Sequence, residues 1–211
     1  LTTPYARQGT LALSRIELLS TNSIRGGRIE IAVELSATYR NPFDSSEVTL
    51  DAGFTAPSGR RYSVPGFFHQ EFRRELKNGA ERLSAVGEPD WRIRFTPEEA
   101  GVYRFELIAR DKSGTTKSSP QSFQVGDAPM TGFVRVSAPD PRYFAFDNGQ
   151  PCFPIGGNVC WSYGPGTFNY DDWFPKFAAA GCNYARLWLS PHWTTFALEQ
   201  PGKSENGKGL G

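Results

Sequence analysis

Apolar and polar residues alternate with period two over most of the first 125 positions. In residues 28–39 (RIEIAVELSATY), Ile29, Ile31, Val33 and Leu35 fall on one face. Glu30, Ala32, Glu34 and Ser36 fall on the other. Such alternation marks a half-buried antiparallel strand. Residues 10–20 repeat it, and Asn22 with Gly26-Gly27 supplies the intervening turn. Asn41-Pro42 ends the second strand. Further strands are predicted at 47–55, 61–68, 91–95, 102–110 and 120–125, with Pro57-Ser58-Gly59 as a turn between two of them. Short strands at regular spacing, with no helical period, point to a β-sandwich.

The run FTPEEAGVYRF (95–105) is sharper. An acidic residue, then Gly, then Tyr entering a strand is the pattern of the tyrosine corner in immunoglobulin-like sandwiches. Tyr103 would bond back to the preceding loop, and Phe105 stands where antibody domains place a cysteine. Trp91 joins the expected core. An ordinary buried tyrosine is the alternative.

Past residue 126 the pattern changes. Residues 127–132 read as a linker, followed by a hairpin over 133–137 and 142–146. Asn148-Gly149 then supplies a turn in which both residues tolerate positive φ. From Phe153 to Pro191 the order is strand, glycine-rich turn, helix, strand. Thr167 or Asn169 can cap the helix, and Asp171-Asp172 suit its positive end. Pro175 fits only a first turn, Trp173, Phe177 and Ala180 share a face, and Gly181 is a left-handed cap. Both strands read as buried on both faces. Two such strands leave unpaired edges, so further strands are expected from a continuation of the protein or from a second chain.

Composition narrows the function classes. The 211 residues carry 38% hydrophobic and 21% charged residues, a globular balance. A net charge of +1 gives no basic field for nucleic acid. No apolar run approaches the ~20 residues of a membrane helix. The chain begins at Leu1, consistent with a targeting segment already removed. Cys152, Cys160 and Cys182 are read as free thiols that pack as small hydrophobes, with a Cys152–Cys160 disulfide left open. Only His69 and His192 are available as imidazole ligands, at no metal-like spacing, so neither a metal nor another cofactor is expected. Gly202-Lys203-Ser204 lacks the upstream glycine of a phosphate loop.

The run FPIGGNVCWS…YDDWFPKFAAAGCNYARLWLSPHW resembles the start of bacterial cellulase-like glycoside hydrolases of clan A, the clan that includes family 5. The preceding YRNPF, APSGR and PGFF…WRIRFTPEEAGVY segments resemble the sandwich of unknown function that often precedes their barrels. The resemblance implies an N-terminal Ig-like β-sandwich (1–126), a linker (127–132) and the first βαβ unit of a (β/α)8 TIM barrel (133–211, incomplete). It implies a retaining glycoside hydrolase, secreted or periplasmic, acting on a polysaccharide or oligosaccharide. Its acid/base and nucleophile glutamates would lie outside this chain. In N-x-x-R-[LIV], matched by Asn183 to Leu187, Arg186 would hydrogen-bond the nucleophile. A structural Arg186 paired with a core acid is the alternative. Asn158, Trp161, Trp188, His192 and Trp193, gathered at two strand ends, are the candidates for the substrate cleft. The rival functions are a non-catalytic carbohydrate-binding or cell-surface protein with a degenerate barrel, and a sandwich adhesion module.

Overall fold

The structure is a computed structural model that describes residues 5–20, 22–159, 162 and 164–188. Two compact units are present: Leu1–Glu71 with Gly87–Gly132, and Phe72–Val86 with Phe133–Gly211.

The first unit is built on two sheets. One has the order β1 (Ala12–Leu18), β2 (Ile29–Ser36), β6 (Ala80–Phe95), β5 (Phe67–Lys77). The other has β4 (Arg61–Pro65), β3 (Val48–Thr55), β7 (Gly101–Asp111), β8 (Gly114–Lys117), with β9 (Gln121–Val125) also paired to β7. The alternation seen in the sequence is the burial pattern. Ile29, Ile31 and Val33 of β2 are buried, as are Trp91, Ile93 and Phe95 of β6. They meet Leu50, Ala52 and Phe54 of β3 and Tyr103, Phe105 and Leu107 of β7 in one core. Burying each large apolar side chain contributes about 1.5–3 kcal/mol. Phe54 stacks on Phe95 at 4.3 Å and Tyr103 on Phe123 at 5.7 Å, so aromatic pairs fill the centre. The corner bond forms as expected: the backbone N–H of Glu99 donates to the Tyr103 hydroxyl at 3.1 Å.

One polar residue breaks the simple alternation. Glu30, on the polar phase of β2, is 7% exposed. Arg92 donates to it at 2.6 Å and Arg94 at 2.9 Å, both from the paired strand β6. Burial alone would push its carboxyl up. The hydrogen bonds from Arg94 and Arg92 more than offset that and hold it below the ordinary glutamate value.

Strands β5 and β6 run much further than the sequence pattern indicates. They are joined by Asn78-Gly79, both at positive φ (53° and 74°), the geometry of a tight hairpin turn. Most of this outer ribbon is exposed. In residues 69–90 charged and polar residues separate Phe72, Leu76, Leu83 and Val86, so no unbroken alternation marks a strand, although Asn78-Gly79 is itself a hairpin pair. Residues 72–86 group with the second unit.

In the second unit, β10 (Val134–Val136), β11 (Phe144–Phe146) and β12 (Pro151–Cys152) form an antiparallel sheet. The Asn148-Gly149 turn joins the last two, with Gly149 at φ 85°. Then follow β13 (Gly156–Val159), helix α1 (Phe168–Ala179) and β14 (Tyr184–Leu187).

The expected fold class, a sandwich followed by the first unit of a (β/α)8 barrel, is corrected here. The described residues are nearly all β, with one helix, in sheets that are antiparallel apart from one short pair. That pair, β13 with β14, has four residues per strand and most of them are exposed. Barrel strands are buried on both faces and flanked on both sides. Among the described residues these two have no third strand beside them. The helix departs from expectation as well. Pro175 lies in its interior, where it removes the hydrogen bond to the Asp171 carbonyl. The buried helical residue is Tyr170, packed with Trp173 and Phe174, whereas Ala180 is exposed. No described helix is long and apolar enough to cross a membrane.

Candidate functional site

The parallel pair is drawn together by a glycine. A Cβ on Gly156 would lie 1.7 Å from the Tyr184 carbonyl oxygen, so only glycine lets the two backbones approach. Asn183 reinforces the entry to the pair, accepting from the Ile155 N–H at 2.8 Å and donating to the Phe153 carbonyl at 3.1 Å. The resulting register sets Gly156 against Tyr184 and, two residues on, Asn158 against Arg186. Directly opposed residues in a strand pair project from the same face of the sheet. Trp188 follows β14, and the Arg186 guanidinium lies 5.3 Å from its ring centre, a cation–π distance. Trp188 is 43% exposed.

Three of the six residues predicted from the sequence are thus brought together: Asn158, Arg186 and Trp188. Trp161, His192 and Trp193 lie outside the described residues. Arg186 is exposed. Water can therefore solvate its guanidinium, and burial does not force it to pair with a carboxylate. Among the described residues no carboxylate pairs with it.

The aspartates of this unit are engaged elsewhere. Asp171 pairs with Arg74 at 2.8 Å, Asp172 with Lys176 at 2.7 Å, Asp147 with Arg135 at 2.9 Å and Asp140 with Arg142 at 2.7 Å. The Arg142 side chain and backbone N–H hold the Asp140 carboxyl below its ordinary value. The Arg135 side chain and the Phe133 N–H do the same for Asp147. Neither is poised to give up a proton at neutral pH. Cys152 and Cys182 are free thiols, and Cys160 lies outside the described residues. Among the described residues no three metal-ligating side chains cluster.

The helix N-terminus following this strand end is held by residues that the sequence reading missed. The Thr167 side chain does not cap the helix. Instead Glu81, from the β5–β6 ribbon, accepts from the Thr167 backbone N–H at 2.8 Å and from its hydroxyl. Arg74 of the same ribbon donates to the Thr167 hydroxyl at 2.7 Å and lies over the Phe168 ring at 4.7 Å. Gly166, at φ 62°, has no room for a side chain, since a Cβ there would fall 2.1 Å from Glu81 Oε2. The far end of the helix closes as expected. Gly181 is at φ 82°, its N–H bonds Ala178 O at 3.0 Å, and the Cys182 N–H bonds Phe177 O at 2.9 Å. That is a Schellman closure.

Residues 27–110 match the family described as a domain of unknown function, DUF5060. The matched stretch runs from β2 into β7. A crystal structure of a "putative glycoside hydrolase" from Bacteroides vulgatus is similar to this chain, with a TM-score of 0.57 and 20% identity. The similarity covers 90% of this chain and 34% of that one. At that identity it speaks to fold alone. This chain spans about a third of the length of that solved protein. No curated protein matches the chain at a significant level.

Proposed function

We propose that this chain is part of a retaining glycoside hydrolase that cleaves O-glycosidic bonds in a polysaccharide or oligosaccharide. In this reading Asn158 and Trp188 contact the sugar, and Arg186 supports the nucleophile. The observation that carries it is the register of Asn158 against Arg186, with the exposed Trp188 ring beneath the guanidinium. An indole face stacks on the apolar face of a sugar ring, while an amide group binds its hydroxyls. The name of the similar Bacteroides vulgatus protein supports the same class. A retaining mechanism needs two carboxyl groups about 5–5.5 Å apart. The four aspartates engaged by cations are poor candidates, so other carboxylates of the complete enzyme would supply that pair. Arg186 would then hydrogen-bond the nucleophile and keep it ionised. A secreted or periplasmic setting belongs with this reading.

The test is a glycan-panel activity screen on the complete protein, followed by Arg186→Ala. Turnover on the substrate found is expected to fall by roughly 10²-fold. The melting temperature should hold, because Arg186 is exposed. Unchanged kinetics would remove Arg186 from the mechanism. A second reading, that of a non-catalytic carbohydrate binder, is favoured by the exposed Trp188 ring, which can stack on a sugar without any carboxylate. That reading expects no turnover on any glycan, with binding that is lost in Trp188→Ala.

A further inference from the structure

Gly53 occupies the middle of β3, a strand paired on both sides in its sheet. Glycine there weakens a strand through backbone entropy and the lack of a side chain to pack. A glycine in such a place usually serves a positive φ, a bulge or a tight contact. None of these holds at Gly53. It is not among the residues at positive φ. The pairing of β3 with β4 and with β7 runs through it without a shift in register. Beyond Gly53 and its two chain neighbours, no heavy atom lies within 4 Å of where its Cβ would stand. The space over Gly53 is part of an open hollow of about 740 Å³ on this sheet face.

The side chains around the hollow follow from register. Gly53 stands between Ser63 of β4 and Glu106 of β7. Two residues on, Thr55 stands between Arg61 and Arg104. All of these point away from the core, since the residues alternating with them in β3 and β7 (Ala52, Phe54, Tyr103, Phe105) are buried. The two arginines straddle one strand, about 10 Å apart at their Cβ atoms by the spacing of neighbouring strands. Neighbouring arginines are taken: Arg110 pairs with Asp51 at 3.7 Å and Arg60 with Glu98 at 3.2 Å. Among the described residues Arg61 and Arg104 make no ion pair.

We propose that this face is a binding site for a glycan bearing uronic acid carboxylates, with a sugar ring resting on the Gly53 backbone. Arg61 and Arg104 present planar donor forks that match a carboxylate. Ser63, Thr55 and Glu106 supply the hydroxyls and the acceptor that sugar hydroxyl groups require. Glu106 also disfavours a densely sulfated chain, whose charge it would repel. The site lies in the first unit and does not depend on the strand-end cluster, so its failure would leave the hydrolase reading where it stands.

The experiment measures binding of the 211-residue chain to polygalacturonate, cello-oligosaccharides, dextran sulfate and poly-glutamate by titration calorimetry. Polygalacturonate is expected to bind, and the other three are not. The double variant Arg61→Ala/Arg104→Ala should bind polygalacturonate at least about tenfold more weakly. Gly53→Val is the decisive variant. A β-branched residue suits a central strand and meets no neighbour here, so the melting temperature should hold or rise. The added side chain would stand where the sugar ring is proposed to rest on the Gly53 backbone and so abolish binding. Wild-type affinity in Gly53→Val overturns the proposal. So does the absence of polygalacturonate binding, and so does equal binding of poly-glutamate, of dextran sulfate or of the neutral oligosaccharides.

Discussion

The Glu81 carboxylate accepts from both the backbone N–H and the hydroxyl of Thr167, a residue 86 positions further along the chain. A helix N-terminus leaves backbone donors unsatisfied, and a neighbouring residue usually supplies the cap. Here the cap comes from the β5–β6 ribbon and brings a negative charge to the positive end of the helix dipole.

Replacing Glu81 by Ala should destabilise α1 by about 0.5–2 kcal/mol, the usual range for a lost cap. Amide exchange should accelerate in the first turn of the helix, from Phe168 on, while exchange in the β2–β3 core stays unchanged. Gly166→Ala should act in the same direction, because it sets a methyl group against the same carboxylate in a left-handed conformation. Unaltered exchange in α1 for both variants would show that the cap does not hold the helix.

Tyr103 is fully buried, and its hydroxyl accepts the Glu99 N–H. Tyr103→Phe keeps the ring stacked on Phe123 and removes the bond. The expected loss is about 1 kcal/mol. It would be read as a lower urea midpoint with an unchanged slope. A midpoint equal to that of the wild type would mean that water replaces the bond without loss.

Glu47 is 5% exposed, and the Arg40 and Asn41 backbone N–H groups donate to one of its oxygens at 2.6 and 3.2 Å. The Arg40 side chain takes the other at 2.7 Å. The Arg40 N–H, then the Arg40 side chain, hold its pKa at about 2 against an ordinary 4.5. The folded value is depressed, so the stabilisation is fully present above pH 4.5 and is lost as pH falls toward 2. A carboxyl titration followed by NMR should place the Glu47 midpoint near 2. Melting temperature should decline across that window, and less steeply in Glu47→Gln. A midpoint near 4.5 would sink this account.

Local rules carried the sequence reading a long way in the first unit. Alternation at Ile29, Ile31 and Val33 predicted which side chains meet in the core. The Gly101 and Tyr103 spacing predicted the corner bond. At the strand ends, position in the pattern points to Asn158 and Trp188 and the resemblance to Arg186, and the parallel register sets Asn158 and Arg186 opposite one another. The error lay in burial. The apolar content of 183–189 predicts a strand buried on both faces, yet most of Tyr184–Leu187 is exposed.

By itself, then, the sequence determined period, turn and cap: the alternating strands, the Asn148-Gly149 turn and the Gly181 stop. These depend on φ, ψ preferences and on neighbours within a few residues. Only the tertiary structure decided which distant groups meet. Glu30 looks like a solvent-facing residue until Arg92 and Arg94, 62 and 64 positions away, arrive beside it. The ribbon of residues 72–86 has no unbroken alternation to announce it, and the Glu81 carboxylate finds a helix end 86 residues on. Gly53 reads as a weak point in a strand until the register sets Ser63, Glu106, Arg61 and Arg104 around the open space above it. A residue's periodicity is written in its neighbours along the chain, whereas its partner across a sheet or at a helix end is chosen by the closure of long loops.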